Sequence, residues 1–105
     1  MSTRQALQVE SFGITIEDQL ILNGQPANLA GALVEIRLEK PDGSTQEHPA
    51  ELRTNGADGW VKYLVPAGLI DQAGRWRYQF FATTAGMGFP FEPVEFQALE
   101  NVPAP

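Results

Sequence analysis

The stretch DGWVKYLVPAGLIDQAGRWRYQFFA, from Asp58 to Ala82, contains both tryptophans and both tyrosines of the chain and its clearest strand pattern. After the turn dipeptide Asp58-Gly59, apolar residues recur at every second position, at Val61, Tyr63 and Val65. Successive side chains of a strand point to opposite faces, so the other face carries Trp60, Lys62 and Leu64. The first half of the stretch is therefore predicted to be a strand that ends at Pro66.

The second half of the stretch repeats this alternation with larger rings. One face carries Trp76, Tyr78 and Phe80, and the other carries Arg75, Arg77 and Gln79. Rings on one face and charges on the opposite face are typical of a strand that is buried on one side only. We therefore expect Trp76 to be the central core residue, packed between two sheets.

Strand patterns recur along the rest of the chain, separated by turn residues. The cleanest runs from Ala32 to Lys40 and is followed by the turn Pro41-Asp42-Gly43. A more polar strand spans residues 45–53, and Pro49 within it predicts a sheet edge, because proline cannot donate to the ladder. Leu29 is expected to tuck under a bend as a plug. The predicted core consists of Ile14, Val34, Ile36, Leu38, Val61, Tyr63, Trp76, Tyr78, Phe80, Val94 and Phe96.

Together these segments give about seven short strands with turn signals every 8–12 residues or so. This pattern predicts an all-β sandwich of about seven antiparallel strands in two sheets. The 105 residues are enough for one domain with a core, and ten glycines and eight prolines fit its many turns. We assign the sandwich to residues 7–100, a flexible N-terminal arm to residues 1–6 and a proline-rich tail to residues 101–105.

Charge and composition argue against several classes of partner. The formal net charge of −6 disfavours a nucleic-acid backbone, because phosphate binding needs a basic patch. No apolar run reaches the roughly 18 residues of a membrane span, and the N-terminal MSTRQALQVE lacks the apolar segment of a signal peptide. The absence of cysteine favours synthesis in a reducing cytoplasm. We therefore predict no nucleic-acid and no membrane partner.

No combination of residues in the sequence indicates catalysis. The single histidine, His48, has no cysteine or second histidine with which to complete a transition-metal site. Asp42-Gly43 and Asp58-Gly59 match only fragments of calcium loops, so we interpret them as turns. Glu35 and Glu39 share a strand face with Arg37 between them, which indicates a solvated face and not a glycosidase pair. We predict no catalytic, cofactor-binding or metal-binding residue.

Four residues are candidates for contacts with a partner: Trp60, Met87, Phe89 and Phe91. Trp60 lies on the face opposite Val61 and Tyr63, so it either packs beneath a loop or faces outward as a contact surface for a protein or a sugar. The other three lie in a predicted loop without an evident core role. The basic residues Lys62, Arg75 and Arg77 are expected to balance the nearby glutamates across the sheet.

Three runs of the sequence resemble a known family: VEIRLEKPDGS at residues 34–44, GWVKYLVPAGLIDQAGRWRYQF at 59–80 and FPFEPVEFQ at 89–97. They are similar to small immunoglobulin-like domains of tailed-bacteriophage virion proteins, and in particular to the N-terminal domain of the siphophage baseplate upper protein family. The family's Leu-x-Gly-Ala bend, Pro-Asp-Gly turn, Gly-x-Val-x-Tyr strand and Ala-Gly-x-aromatic corner match residues 29–32, 41–43, 59–63 and 73–80.

This resemblance implies an immunoglobulin-like sandwich and a structural role without catalysis. The implied partners are other virion proteins on the tail, baseplate or capsid surface, bound in multiple copies per assembly. The implied location is the virion. Because both termini are polar or proline-rich, we expect the arm at residues 1–6 and the tail at residues 101–105 to become ordered on assembly. The alternative is a carbohydrate-binding or adhesion module that binds a cell-surface glycan through Trp60 and the aromatic loop at residues 89–91.

Overall fold

The computed structural model describes residues 2–3 and 6–102, which form eleven β-strands and no helix. In chain order the strands are β1 (Ser2–Thr3), β2 (Leu7–Gln8), β3 (Thr15–Gln19), β4 (Ile21–Leu22), β5 (Gln25–Pro26), β6 (Leu33–Glu39), β7 (Thr45–Leu52), β8 (Trp60–Leu64), β9 (Gly74–Thr84), β10 (Met87–Pro90) and β11 (Val94–Leu99). The all-β prediction is therefore confirmed, and seven of these strands have four residues or more. Residues 1, 4 and 5 of the predicted arm and residues 103–105 of the predicted tail lie outside the described residues.

The longer strands form one continuous sheet in the order β11-β9-β6-β7-β8-β3, with every neighbouring pair antiparallel. The sheet folds over at β7, whose residues 45–50 pair with β6 while Glu51 and Leu52 pair with β8. We call β6, β9, β10, β11 and the first part of β7 the first layer, and β3, β8 and the end of β7 the second layer. The predicted pair of sheets thus corresponds to two layers that share one strand.

The N-terminal strands depart from the predicted antiparallel pattern. β1 pairs in parallel with the start of β11, and β2 pairs in parallel with its end, where Leu7 lies opposite Ala98. Side chains reinforce this closure, because Gln8 Nε2 donates to Asn101 Oδ1 at 3.1 Å and Asn101 Nδ2 donates to Val9 O at 2.8 Å. The alternation of side chains has the same period in parallel and antiparallel strands, so it could not predict the direction of pairing.

Pro49 explains why β7 changes partner. Arg53 N donates to Trp60 O at 3.0 Å, so the odd-numbered positions of this strand direct their backbone groups towards β8. Pro49 occupies such a position and has no N–H to donate, whereas the ladder to β6 uses the even-numbered positions. Pairing with β8 therefore stops at Glu51, and residues 45–50 have an open side there, as the proline predicted.

The core lies between the two layers and largely matches the prediction. Of the eleven predicted core residues, ten are buried and Ile14 is partly buried against them. Leu29 is fully buried as the expected plug. The core also includes apolar residues that were not among the eleven predicted: Leu7, Ile16, Leu20, Val65, Leu69, Ile70, Ala82, Phe91 and Ala98.

Trp76 occupies the predicted central position in this core. Its side chain is fully buried and stacks on Phe96, with ring centroids 5.8 Å apart. Its indole Nε1–H donates to Gln72 O at 2.9 Å, so the one polar atom of the ring has a partner four residues upstream. An aromatic residue at the start of a strand that bonds back to the preceding loop is also a feature of immunoglobulin-like folds.

The loop before Trp76 is fixed to the turn between β6 and β7 by polar contacts. Lys40 Nζ forms an ion pair with Asp71 at 2.9 Å, and Gln72 Nε2 donates to Asp42 Oδ2 at 2.9 Å. Gly74 permits the close approach of the two segments, because a Cβ at this position would lie 2.9 Å from Pro41 Cβ. We call Lys40, Asp42, Asp71, Gln72 and Trp76 the corner network.

Replacing Trp76 by alanine should lower the free energy of unfolding by about 3–5 kcal/mol, because a fully buried ring is lost. Urea denaturation measures this value. The matched control is Trp60→Ala, which removes a half-buried ring stacked under an arginine and should cost about 1 kcal/mol. Equal costs for the two variants would contradict the assignment of Trp76 to the centre of the core.

Asp42 should make the stability of the domain dependent on pH. Hydrogen bonds from the Ser44 side chain, from Ser44 N and from Gln72 lower the pKa of Asp42 from 3.8 to about 2. The folded state favours the ionised carboxylate, so this contribution is fully present above the unfolded pKa and is lost as the pH falls through about 2. Melting temperatures of the wild type and Asp42→Asn should therefore differ near neutral pH and converge in acid. A constant difference would contradict this role.

Candidate interaction surface

The outer face of the second layer is the candidate surface, and three strands supply its side chains. Ile16, Val61 and Tyr63 face the core, so their neighbours along β3 and β8 face outward. The strand register arranges the outward residues in cross-strand rows. The residues of this outer face are Thr15, Glu17 and Gln19 from β3, Trp60, Lys62 and Leu64 from β8, and Glu51 and Arg53 from the end of β7 and the loop that follows.

Trp60 lies on this outer face, which is one of its two predicted positions. It is half-buried, and the Arg53 guanidinium lies 4.5 Å from the centroid of its ring. Arg53 Nη1 reaches across to Glu17 Oε2 at 3.2 Å, and Trp60 N donates to Asp58 Oδ1 at 3.1 Å. The covering group is thus an arginine side chain and not a loop, which leaves the ring at the surface beside an ion pair.

Leu64 and Lys62 are the other notable members of the outer face. Leu64 is 62% exposed although it lies in a paired strand. The five described cations Arg37, Lys40, Arg53, Arg75 and Arg77 each form an ion pair with a carboxylate. Among the described residues, Lys62 alone of the cations has no such ion pair within 4.0 Å. Leu64 was not predicted as a contact, although an apolar residue on the polar face of the strand was visible in the sequence.

A small hairpin extends β3 beyond this face. β4 and β5 form a separate two-stranded sheet joined by Asn23 and Gly24, whose φ angles of 53° and 77° indicate a type I′ turn. The hairpin exposes Ile21 and Leu22 to solvent. The Asn-Gly dipeptide is the residue pair most typical of this turn, whereas no local pattern in the sequence indicates the exposure of the two apolar residues.

The predicted loop around Met87 is a regular hairpin in the first layer. β9 continues to Thr84, a two-residue turn follows at Ala85 and Gly86, and β10 returns along β9. Met87 is 54% exposed, whereas Phe89 is half-buried against the core. These two residues lie in the first layer and Trp60 in the second, so the predicted contacts do not form one patch.

Phe91 requires a correction, because it has the core role that the sequence did not reveal. It is 3% exposed, and its ring lies 6.0 Å from that of Phe80. Phe91 N donates to Phe80 O at 2.9 Å, and Gln79 Nε2 donates to Phe91 O at 2.7 Å. The pairing of β10 with β9 thus continues to Phe91 and turns its side chain inward. As a contact residue, Phe91 has almost no surface to offer.

The outer face of the first layer carries matched charges. Arg77 pairs with Glu39 at 2.6 Å and Arg75 with Glu95 at 3.3 Å. Glu35 pairs with Arg37, which lies 3.8 Å from the Phe81 ring centroid and covers it. The predicted balance of arginines and glutamates therefore holds in this layer, but Lys62 belongs to the other layer.

A groove of about 490 Å³ runs along the same first-layer face. Its lining includes Arg37, Thr45, Arg77 and Gln79, together with the buried residue Tyr78. Stacking against a sugar needs an exposed ring. The groove presents charged and amide groups but no open aromatic platform.

Two further observations bear on other kinds of site. Among the described residues, no group of three or more histidine, aspartate and glutamate side chains is placed to hold a metal ion. The same part of the chain contains no helix with the length and apolar character needed to cross a membrane.

Asp18, at the edge of the second layer, lies where burial disfavours the charged form of its carboxyl group. It lies opposite Val61 in β3, and its side chain points towards the space between the layers. Burial raises the pKa of Asp18 above its ordinary value, the hydrogen bond from Gln19 N lowers it, and the nearby Glu92 raises it. The ionised carboxylate is therefore held in a place that disfavours its charge.

The comparisons with known proteins identify a related fold. No protein-family model and no curated protein match the sequence. The structure is similar to the N-terminal domain of phage TP901-1 ORF48, a baseplate protein, with a TM-score of 0.58 and 20% sequence identity. The match covers 97% of this chain and 85% of that one. The chain therefore has a fold similar to that of a phage baseplate domain, as the sequence resemblance indicated.

Asp18→Asn should raise the melting temperature at neutral pH, because asparagine keeps the acceptor for Gln19 N and removes the disfavoured charge. A raised pKa means that stability falls as the pH rises through the folded-state value, so the gain should disappear in acid, where Asp18 is protonated. Thermal melts between about pH 3 and pH 7 test both statements.

The matched control is Asp58→Asn. Hydrogen bonds, first of all from Trp60 N, lower the pKa of Asp58, so its neutral variant should be less stable at neutral pH. The two substitutions should therefore have effects of opposite sign. A loss of stability in Asp18→Asn at neutral pH would contradict the account of this carboxylate.

Proposed function

We propose that this chain is a non-enzymatic structural domain of a tailed-phage virion, where it binds other virion proteins on the tail or baseplate or as a decoration of the capsid. The observation that carries the proposal is the match of nearly the whole chain to the fold of a phage baseplate domain. Assembly in multiple copies per particle is part of the proposal. At 20% identity the match concerns the fold, so the partners must be argued from the surface.

The outer face of the second layer is the surface that we assign to the contact. Trp60 and Leu64 give it apolar area at both ends, and Lys62 lies between them without an ion pair among the described residues. Tryptophan is enriched among the residues that dominate protein interfaces. Burying Leu64 completely against a partner would contribute about 1.5–3 kcal/mol before the costs of association.

The outer face of the first layer is less suited to this role. Its arginines already pair with Glu35, Glu39 and Glu95, and Arg37 covers the Phe81 ring. Removing such pairs from water would cost free energy without providing new partners for them. Leu33 lies on this face at 80% exposure, and it provides a control position.

Leu64→Glu and Trp60→Ala should each reduce the amount of protein retained on purified phage particles, by about tenfold for an interface residue worth 1.4 kcal/mol. Quantitative immunoblotting of washed particles measures retention, and a thermal melt shows that each variant is folded. The matched control for the first variant is Leu33→Glu in the other layer, which should be retained like the wild type.

The proposal fails if the wild-type protein is absent from particles. Equal loss for Leu64→Glu and Leu33→Glu would show that the chosen face is wrong. The glycan alternative has its own readout, since the isolated domain would then bind a glycan array and lose that binding in Trp60→Ala. No aromatic residue of the described chain lies open on the groove of the first layer, so we do not place a sugar there.

A further inference from the structure

A notch opens on the outer face of the second layer, where the pairing of β7 with β8 stops. Glu51 lies opposite Lys62 in the last pair before the two strands separate. Two residues further along, the same register would place Pro49 opposite Leu64, but the strands do not pair there. The space left at this point measures about 150 Å³, and its lining includes these four residues and Thr15. The notch therefore adjoins the exposed Leu64 side chain that we assign to the contact.

The backbone carbonyl of Leu64 is directed into this notch. Arg53 N donates to Trp60 O, so the even-numbered positions of β8 direct their backbone groups towards β7. Leu64 occupies such a position, and the residue of β7 that faces it, Pro49, has no N–H group. The Leu64 carbonyl therefore has no donor on β7. A partner that covers this acceptor must supply a hydrogen bond, because burying an unpaired carbonyl costs free energy.

The charges around the notch favour a neutral occupant. Glu51 and Lys62 are cross-strand neighbours of opposite sign, and among the described residues neither forms an ion pair within 4.0 Å. A carboxylate in the notch would meet repulsion from Glu51, and a lysine or arginine would meet repulsion from Lys62. An aromatic ring carries no net charge, and its face attracts a cation such as Lys62.

We propose that a tyrosine side chain of a neighbouring virion protein inserts into this notch, with its ring beside Lys62 and its hydroxyl donating to the Leu64 carbonyl. A space of about 150 Å³ holds one benzene-sized ring. A phenylalanine would fill the space but leave the carbonyl unpaired, whereas a tyrosine provides both the ring and the donor. This inference rests on the proposed function and adds the chemistry of the partner's anchor.

A second copy of this chain is a poor source of such a side chain. The sequence contains two tyrosines, Tyr63 and Tyr78, and both are buried in the core at 8% and 5% exposure. Neither ring can reach a neighbouring molecule unless the core opens. We therefore assign the occupant to a different protein.

Two variants close the notch in different ways. Pro49→Ala supplies the missing N–H, which can donate to the Leu64 carbonyl and extend the ladder between β7 and β8. Thr15→Trp places a large ring over the notch from the exposed first residue of β3. The matched controls are Pro90→Ala in β10 and Thr83→Trp in β9, both at exposed positions of the first layer. Thermal melts show whether each variant is folded.

We expect Pro49→Ala and Thr15→Trp to be retained on purified phage particles about tenfold less than the wild type, because each removes the site of the partner's anchor. Pro90→Ala and Thr83→Trp should be retained like the wild type. If Pro49→Ala does not fold, Thr15→Trp makes the same test, since it leaves every backbone group in place.

A titration of the protein alone gives a readout that needs no particle. The probe p-cresol is the side chain of tyrosine, and it should shift the backbone amide NMR signals of residues 50–51 and 62–64. Toluene has the same ring without the hydroxyl and should bind about fivefold more weakly, because it leaves the Leu64 carbonyl unpaired. These shifts should disappear in Pro49→Ala and persist in Pro90→Ala.

Three outcomes would overturn the inference while leaving the proposed function intact. One is full retention of folded Pro49→Ala or Thr15→Trp alongside a loss of Leu64→Glu. Another is equal binding of p-cresol and toluene, which would show that the carbonyl does not select the occupant. The third is the absence of amide shifts at the notch with either probe. Absence of the wild-type protein from particles would instead overturn the proposed function and, with it, the virion source of the tyrosine.

Discussion

The hydrogen bond from Trp76 Nε1 to Gln72 O is the constraint on which the rest of the structure depends. A fully buried indole must pair its single donor, and the loop in front of β9 provides the acceptor at 2.9 Å. Once this residue is fixed, the alternation along β9 directs Tyr78 and Phe80 inward, and the strand can pair with β6 on one side and with β10 and β11 on the other. The corner network then holds the loop in place through two further polar contacts.

The passage of β7 from one layer to the other produces the surfaces that this domain can use. Pro49 ends the pairing with β8, which separates the layers and lets the second layer present its own outer face. The same arrangement brings Arg53 opposite Trp60, where it can cover the ring and reach Glu17. Pro49 cannot donate a backbone hydrogen bond, and this one property determines both the division into layers and the outer face of the second layer.

Local alternation in the sequence predicted the core because each strand buries one face. It predicted the central burial of Trp76 and left Trp60 either beneath a loop or facing outward, but it could not assign Phe91, whose burial depends on pairing with a strand earlier in the chain. The parallel direction of β2 and the sharing of β7 between layers depend on long-range register in the same way. The ion pair over Trp60 was likewise invisible, because 36 residues separate Arg53 from Glu17 along the chain.

The ladder between β2 and β11 has a consequence for the order of events during synthesis. Leu7 pairs with Ala98, and Asn101 Nδ2 donates to Val9 O. Residues from opposite ends of the described chain therefore form one ladder. Contacts between residues so far apart raise the contact order and slow folding. The domain cannot close before its final strand has left the ribosome, and the edge of β9 that pairs with β11 stays open until then. In the closed domain, loss of either β2 or β11 breaks the ladder between them. Fraying of one end of the chain therefore removes the hydrogen-bond partners of the other end.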